Sequence, residues 1–278
     1  MTRFLMFCFC LCLTVVCFAE AVAQDGPPPP PNVLFIVREE IRPGKDAAHL
    51  EESQRYTNVL RKVKSPYGRI GMNAIAGSEH EVLYVWPFDS FAMFEKMNQD
   101  VEKWSTGQYR ADFEAIAPGE DLHVSQRDML AVLRPDLSYR TPVNVPEMRY
   151  MMIETMRLKP GQDENFMNGA RMYIDGLKKG NVDAHFSVFQ VIAGAQPGTF
   201  LLIEPMKSLA ELDKFHERSK ALRNALGAEG MKSLDKIGSE VFDTGDVVIY
   251  AFNPRMSYVQ NDFISKDKAS PSFWVPNP

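Results

Sequence analysis

The sequence predicts an α+β fold in which two tandem ferredoxin-like βαββαβ units pack sheet to sheet and form an α/β barrel within one chain. Three observations predict it: an internal repeat, the same order of strands and helices in both copies, and one sheet face per copy that the helices leave uncovered. The composition, with 45% hydrophobic and 24% charged residues, is typical of a globular protein.

The repeat rests on four pairs of matching segments that occur in the same order in both copies. Their offsets rise only from 117 to 119 residues, which is hard to obtain by chance. The pairs are IRPGKD (41–46) with LKPGQD (158–163), IAG (75–77) with IAG (192–194), WPFDSFAMFEK (86–96) with EPMKSLAELDK (204–214), and RPDLSY (134–139) with NPRMSY (253–258). We therefore expect repeat 1 at 33–140, repeat 2 at 147–258 and a C-terminal tail at 259–278.

The elements of each copy follow from the hydrophobic period and the turn residues. In repeat 2, Pro160-Gly161 ends an apolar strand, the turn at 194–198 joins a hairpin, and Ser208 with Glu211 has the pattern of a helix N-cap. The predicted elements of repeat 2 are a strand at 148–158, a helix after 161, strands at 185–193 and 199–204, a helix from 208 and a strand at 247–252. Those of repeat 1 are a strand at 33–39, a helix at 46–64, strands at 69–76 and 81–86, a helix at 90–104 and a strand at 129–133.

Residues 1–23 have the pattern of a secretory signal peptide: Arg3, an apolar stretch, and Ala21-Val22-Ala23 as a cleavage site. We expect cleavage after Ala23 and a secreted or periplasmic protein without a stable membrane span; an uncleaved anchor is the alternative. The segment 24–32 carries five consecutive prolines, which favours an extended spacer. All four cysteines lie in the signal peptide, so the mature chain would have no thiol chemistry.

Charge and motifs exclude several classes of function. The formal net charge is −5 and no basic stripe is present, which argues against a nucleic-acid partner. The chain has no Gly-rich dinucleotide loop, phosphate loop or GxSxG motif. Its five histidines lack HxH or HExxH spacing, with His80 in a predicted turn and His123 in a predicted loop. We therefore expect no cofactor and no locally assembled metal site, and the oligomeric state stays open.

Strand alternation separates the two faces of each sheet. We expect an aliphatic set to lie under the helices and a mixed set to face the space between the sheets. The aliphatic set is Met72, Ala74, Leu83, Val85, Phe189, Val191, Leu201 and Ile203. The mixed set is Phe35, Val37, Asn73, Tyr84, Trp86, Tyr150, Met152, Glu154, Gln190, Leu202 and Glu204. Within it the candidate ligand-binding residues are Phe35, Asn73, Tyr84, Trp86, Tyr150 and Gln190, and a core role is the alternative for the aromatic ones.

Two glutamates of repeat 2, Glu154 and Glu204, take the places of Val37 and Trp86 on strands that are neighbours in the ferredoxin order. Two carboxylates that face one apolar space raise one pKa, which makes this pair a candidate for acid–base catalysis or metal binding. Further ligands or proton carriers would be His185, Gln190 and His216. In the alternative, both glutamates lie near strand ends and pair with Arg157 or Arg149.

Two segments, VLYVWPFDSFAMFEKM (82–97) and FLLIEPMKSLAELDKFHERSKAL (200–222), resemble the dimeric α/β-barrel superfamily, most closely its antibiotic-biosynthesis-monooxygenase and NIPSNAP-type members. The resemblance covers 33–258 and implies two ferredoxin-like units that enclose a barrel-like space. It also implies a haem-binding or proton-relay role for His216, against a solvent-facing histidine as the alternative. Repeat 1 departs from this pattern because Asn98 stands at the matching place.

Three functional interpretations follow. The first is a cofactor-independent small-molecule enzyme, monooxygenase-like or isomerase-like, with Glu154, Glu204 and His216 as catalytic residues in a cavity between the repeats. The second is a non-catalytic binding protein for a small hydrophobic or aromatic molecule. The third is a structural or interaction module whose exposed tail docks on a partner through Phe273 and Trp274.

Overall fold

A computed structural model describes residues 27–116 and 121–275. The predicted signal peptide lies outside the described residues. The strands are β1 (Val33–Ile41), β2 (Ile70–Ala76), β3 (Glu81–Phe88), β4 (His123–Leu133), β5 (Tyr150–Leu158), β6 (Ser187–Ala193), β7 (Thr199–Met206) and β8 (Phe242–Phe252). The α-helices are α1 (Asp46–Lys62), α2 (Phe91–Thr106), α3 (Arg110–Glu114), α4 (Asp163–Lys179), α5 (Phe215–Val241) and α6 (Asn261–Ser265).

The eight strands form one closed antiparallel barrel in the order β1-β3-β2-β8-β5-β7-β6-β4. Unit 1 (β1–β4 with α1–α3) and unit 2 (β5–β8 with α4 and α5) each have the ferredoxin-like order, and they join through β2–β8 and β4–β6. The predicted fold class is therefore confirmed as an α/β barrel built within one chain. Among the described residues, no helix is both long and apolar enough to cross a lipid bilayer.

Two of the strands begin earlier than the sequence predicts. β4 starts at His123 rather than at residue 129, and β8 starts at Phe242 rather than at residue 247. The added halves, HVSQRD and FDTGD, are largely exposed and polar, so they lack the apolar signal by which a strand is recognised. As a consequence His123 belongs to the sheet and not to a loop.

The interior of the barrel is packed with apolar side chains from both units. This central core contains Leu34, Ile36, Met72, Leu83, Val85, Met129, Ala131, Met151, Ile153, Phe189, Val191, Leu201, Ile203, Val248, Tyr250 and Phe252. The expected orientation of the strands is thus wrong: the aliphatic set faces the barrel interior and the mixed set faces the helices. Alternation tells which residues share a face, but it does not tell which face a helix covers.

The C-terminal tail closes one mouth of the barrel. Trp274 is 3% exposed, its indole Nε1 donates to the Pro146 carbonyl at 2.8 Å, and its ring packs against Phe252 and Phe263. The fully buried carboxylate of Asp267 pairs with Arg149 at 2.6 Å. The expectation of an exposed tail that presents Trp274 to a partner is therefore wrong, because the tail covers apolar surface of its own barrel.

The repeated Ser-Tyr pairs extend the two seams between the units beyond the strands. Ser257 Oγ accepts from Gly71 N at 3.0 Å and donates to Asn253 O at 2.8 Å. Ser138 Oγ likewise accepts from Val188 N at 3.0 Å and donates to Arg134 O at 2.8 Å. Each tyrosine that follows forms a β-bridge, Tyr258 with Arg69 and Tyr139 with Phe186. These equivalent bonds hold unit 1 and unit 2 in the same mutual register at both seams.

We expect Trp274→Ala to lower the free energy of unfolding by about 3–5 kcal/mol, because it empties a buried site at the barrel mouth. Urea unfolding of the purified protein measures the change. The matched control is Phe215→Ala, which truncates an aromatic side chain that is 64% exposed and should alter stability little. Equal effects of both substitutions would contradict the closing role of the tail.

Candidate functional site

Each unit holds a cavity between its sheet and its helices. The unit 1 cavity measures about 350 Å³ and lies under α1 and α2, whereas the unit 2 cavity measures about 340 Å³ and lies under α4 and α5. In unit 2 the helix α5 is interrupted at Gly227, which has φ 69°. The part of α5 after this break contributes Leu234 and Ile237 to the wall of the cavity. The two cavities differ sharply in chemistry.

A cluster of two histidines and two glutamates lines the unit 1 cavity. Glu39 points from β1 toward the helices, and His49 and Glu52 lie on one face of α1 because they are three residues apart. His123 joins them because an irregularity in the β1–β4 pairing sets it opposite Ile41. The Glu39 Oε2 atom lies 2.8 Å from His49 Nε2 and 3.4 Å from His123 Nε2.

Two buried polar atoms of this cluster, Glu52 Oε2 and His123 Nε2, have no hydrogen-bond partner among the residues that the structure describes. Leaving such an atom unpaired costs about 1–3 kcal/mol, so both atoms mark a place where a ligand would be stabilised. Burial raises the pKa of Glu52, and the nearby His123 and His49 offset this rise only in part.

A buried guanidinium forms the other end of the cavity. Arg69 is 5% exposed, stacks on the Tyr84 and Tyr56 rings at 4.0 and 4.7 Å, and donates to Ser53 Oγ and the Met256 carbonyl. No carboxylate of the described residues forms an ion pair with it. The Tyr84 hydroxyl donates to the same Ser53 Oγ at 2.9 Å, and burial raises its pKa more than Arg69 lowers it. The Arg69 guanidinium therefore lines the cavity without an ion-pair partner among the described residues.

The two units can be compared position by position because their strands pair in matching registers. Phe35 lies opposite Trp86 as Met152 lies opposite Glu204, and α1 and α4 have the same length. The equivalent pairs are Glu39 with Met156, His49 with Phe166, Glu52 with Gly169, Ser53 with Ala170, Arg69 with Phe186, Tyr84 with Leu202, and His123 with Phe242. At each of these seven positions a polar side chain of unit 1 is thus replaced by an apolar residue or glycine in unit 2. The fold itself does not require these polar groups.

Of the three predicted catalytic residues, Glu154 and Glu204 lie on the helix-covered face of the unit 2 sheet, whereas His216 lies on α5. Glu204 is buried and pairs with Arg218 of α5 at 2.7 Å. Glu154 lines the apolar unit 2 cavity, and no hydrogen bond or ion pair joins it to another described residue; burial raises its pKa. His216 is exposed and stacks on Phe215 with ring centroids 5.8 Å apart.

The arginines expected to neutralise these glutamates have other partners. Arg157 pairs with Asp243 at 3.3 Å and Arg149 with Asp267 at 2.6 Å. Of the proposed helpers, His185 contacts the Pro205 carbonyl through Nε2 at 2.7 Å, and Gln190 accepts from Arg134 at 3.0 Å. The structure therefore places Glu154 and Glu204 on one face but does not bring His216, His185 or Gln190 into contact with them.

The predicted ligand-binding set divides between several places. Phe35, Tyr84 and Trp86 line the unit 1 cavity, and the Phe35 and Trp86 rings lie 5.5 Å apart. Asn73 accepts from Asn253 at 2.8 Å at the β2–β8 seam. Tyr150 is half-buried at the start of β5 and lines neither helix-covered cavity.

Sequence reasoning missed Glu39, His49, Glu52, Arg69 and His123. They lie on separate elements, so no local spacing motif contains them. The sequence signal that marks them is the difference between matching positions of the two units, with the polar residue in unit 1 and an apolar residue or glycine in unit 2.

No protein-family model matches the chain, and a comparison with curated proteins finds no match. Solved structures with a similar fold include an anthrone oxidase-like protein (11% identity, TM-score 0.47, covering 80% of this chain and 91% of that chain). Another is a mutant chlorite dismutase from Candidatus Nitrospira defluvii (8% identity, TM-score 0.47, covering 85% of this chain and 96% of that chain). These values are too low to transfer a reaction or a ligand to this chain.

We expect Glu154→Val, which installs the equivalent residue of unit 1, to raise the thermal midpoint at neutral pH. Burial raises the pKa of Glu154, so the charged form costs stability once the pH exceeds the ordinary glutamate value of about 4.3. The gain should be absent near pH 4 and should grow toward pH 8 in melts followed by circular dichroism.

Glu204→Gln should have the opposite effect and lower stability by about 3 kcal/mol at neutral pH, because it leaves the Arg218 charge buried without its partner.

For Glu154→Val, a gain in stability that is the same at pH 4 and pH 8 would contradict the assignment of the effect to a buried charge.

Proposed function

We propose that unit 1 is the active site of a small-molecule enzyme that removes a proton next to a carbonyl or comparable acidic group. The single observation that carries this proposal is the contrast between the two cavities. Unit 1 buries polar and charged groups at positions where unit 2 builds the same fold with apolar residues and glycine. Burying such groups costs free energy, so their concentration in one cavity favours a chemical role over a structural one.

The residues divide into three roles. Glu52, whose Oε2 forms no hydrogen bond within the described part of the chain, is the proton acceptor. Arg69 and the Tyr84 hydroxyl stabilise the negative charge that develops on a substrate oxygen, because both are fixed by stacking and by hydrogen bonds before the substrate arrives. Phe35 and Trp86 form the apolar wall that holds the body of the substrate. Removal of a proton is a suitable first step for either an isomerase-like or a monooxygenase-like reaction.

The test is hydrogen–deuterium exchange into 1-phenylpropan-2-one and 2-tetralone in D₂O, followed by NMR. We expect the protein to accelerate exchange at the carbon next to the carbonyl. Glu52→Gln and Arg69→Phe should each reduce the acceleration by about 10²-fold or more, the usual contribution of a catalytic acid–base group or an oxyanion donor.

The matched control is Glu154→Val, which removes a buried carboxylate from the unit 2 cavity and should leave the exchange rate unchanged. Acceleration that survives both unit 1 substitutions, or that disappears with Glu154→Val, would contradict the placement of the site in unit 1.

The unit 2 cavity favours a second function, binding of a small hydrophobic molecule. Its walls are almost wholly apolar, with Phe166, Phe186 and Leu202 among them, and its one carboxylate is Glu154. Native mass spectrometry of the purified protein should reveal a bound organic molecule that is lost in Ala170→Phe, which fills the cavity. A bound molecule retained in Ala170→Phe, or absent from the unchanged protein, would contradict this second function.

We propose in addition that the chain is exported with cleavage after Ala23, and that it arose by duplication of one unit of the antibiotic-biosynthesis-monooxygenase or NIPSNAP type. The support for export is the pattern of residues 1–23. The support for duplication is the set of four matching segments together with equivalent strand registers and Ser-Tyr bonds in both units.

A further inference from the structure

We infer that Glu39, His49 and His123 bind a divalent first-row transition metal ion of the zinc or iron(II) kind in the unit 1 cavity. This inference rests on the proposed function, because it adds an ion to the same site, but it is carried by its own geometry. One ligand atom from each residue can be chosen so that all three lie within 4.8 Å of one another.

The separations between these donor atoms are close to those of a metal site. Ligands that bind zinc at about 2.1 Å in a tetrahedral arrangement lie about 3.4 Å apart. The His123 Nε2 to Glu39 Oε2 distance is 3.4 Å. The His49 Nε2 to Glu39 Oε2 distance is 2.8 Å and would widen by about 0.6 Å on binding, which a small side-chain rotation provides.

A buried histidine nitrogen and the formal charge of the cavity also favour a cation at this site. Among the described residues His123 Nε2 is buried without a hydrogen bond, although Glu39 Oε2 lies 3.4 Å from it, and a metal ion between the two atoms would bind both. The charged residues that line the cavity are three carboxylates, Glu39, Glu52 and Asp128, and one guanidinium, Arg69. With neutral histidines the formal charge is therefore −2, which a divalent cation balances.

The donor set selects the class of metal. Two imidazoles with one carboxylate suit zinc, iron(II) and similar ions, whereas magnesium and calcium prefer oxygen donors alone. The three ligands come from β1, α1 and β4 and all line the cavity, and three protein ligands leave at least one coordination position open, as in catalytic rather than structural metal sites. Glu52 is then left beside the ion as a carboxylate free for proton transfer.

Unit 2 supplies an internal control for this inference. Its equivalent positions carry Met156, Phe166 and Phe242, which offer no comparable set of nitrogen and oxygen ligands. The same scaffold therefore tolerates apolar residues at all three positions. His49→Phe and His123→Phe are accordingly the natural test variants, because each installs a residue that the fold already accommodates at the equivalent place.

The experiment uses the purified full chain after treatment with a chelator and its removal. Calorimetric titration with Zn²⁺ should give one ion per chain, and Co²⁺ should produce visible absorption bands of a protein-bound ion. Even outer-shell partners contribute 10–100-fold to metal affinity, so loss of a ligand in His49→Phe or His123→Phe should weaken binding by more than about 100-fold. His216→Phe removes an exposed histidine and should bind as the unchanged protein does.

Binding that is equally tight in His49→Phe and His123→Phe, or absent from the folded unchanged protein at millimolar Zn²⁺ and Co²⁺, would overturn the inference. Circular dichroism establishes that each variant is folded, and Glu39→Gln serves as a third variant with almost unchanged shape. The binding measurement needs no substrate, so the two ideas fail separately. If chelator-treated protein accelerates deuterium exchange but binds no metal, the metal site is overturned and the proposed enzyme activity remains. If the protein binds metal but does not accelerate exchange, the proposed enzyme activity is overturned and the metal site remains.

Discussion

Closure of the barrel is the constraint on which the rest of the structure depends. Each four-stranded sheet would leave one apolar face and two edges exposed if it stood alone. The β2–β8 and β4–β6 seams pair those edges, and the shared interior buries the faces of both sheets against each other. Ser138 and Ser257 extend each seam, and Trp274 covers one mouth.

Because apolar side chains fill the barrel interior, the two candidate sites lie on the helix-covered side of each sheet. Apolar side chains from both units fill the interior, whereas cavities of about 350 and 340 Å³ remain where helices cross the sheets. Two such cavities on one scaffold can differ in chemistry, because the lining of each lies outside the shared core. The lining of the unit 1 cavity is rich in polar groups and that of unit 2 is mainly apolar, with Glu154 as the one carboxylate among the described lining residues of unit 2.

The unit 1 site depends on three features of local geometry. Strand alternation turns Glu39 toward α1, the spacing of three residues sets His49 and Glu52 on one helix face, and the irregular pairing at the end of β1 brings in His123. Arg69 is held from a different direction, since it sits just before β2 and bonds to the Met256 carbonyl across the seam. The site therefore needs both a folded unit 1 and the neighbouring seam with unit 2.

The sequence by itself determined the fold class and most element bounds, because the hydrophobic period and the turn residues are local signals. Only the tertiary structure decided which sheet face is covered, since alternation is symmetric between the two faces. It also decided the site: His49 and His123 are far apart along the chain and meet only through strand pairing and helix docking. The tertiary structure also sets the two predicted glutamates apart: Glu204 pairs with Arg218 of α5, whereas Glu154 has no ion-pair partner among the described residues.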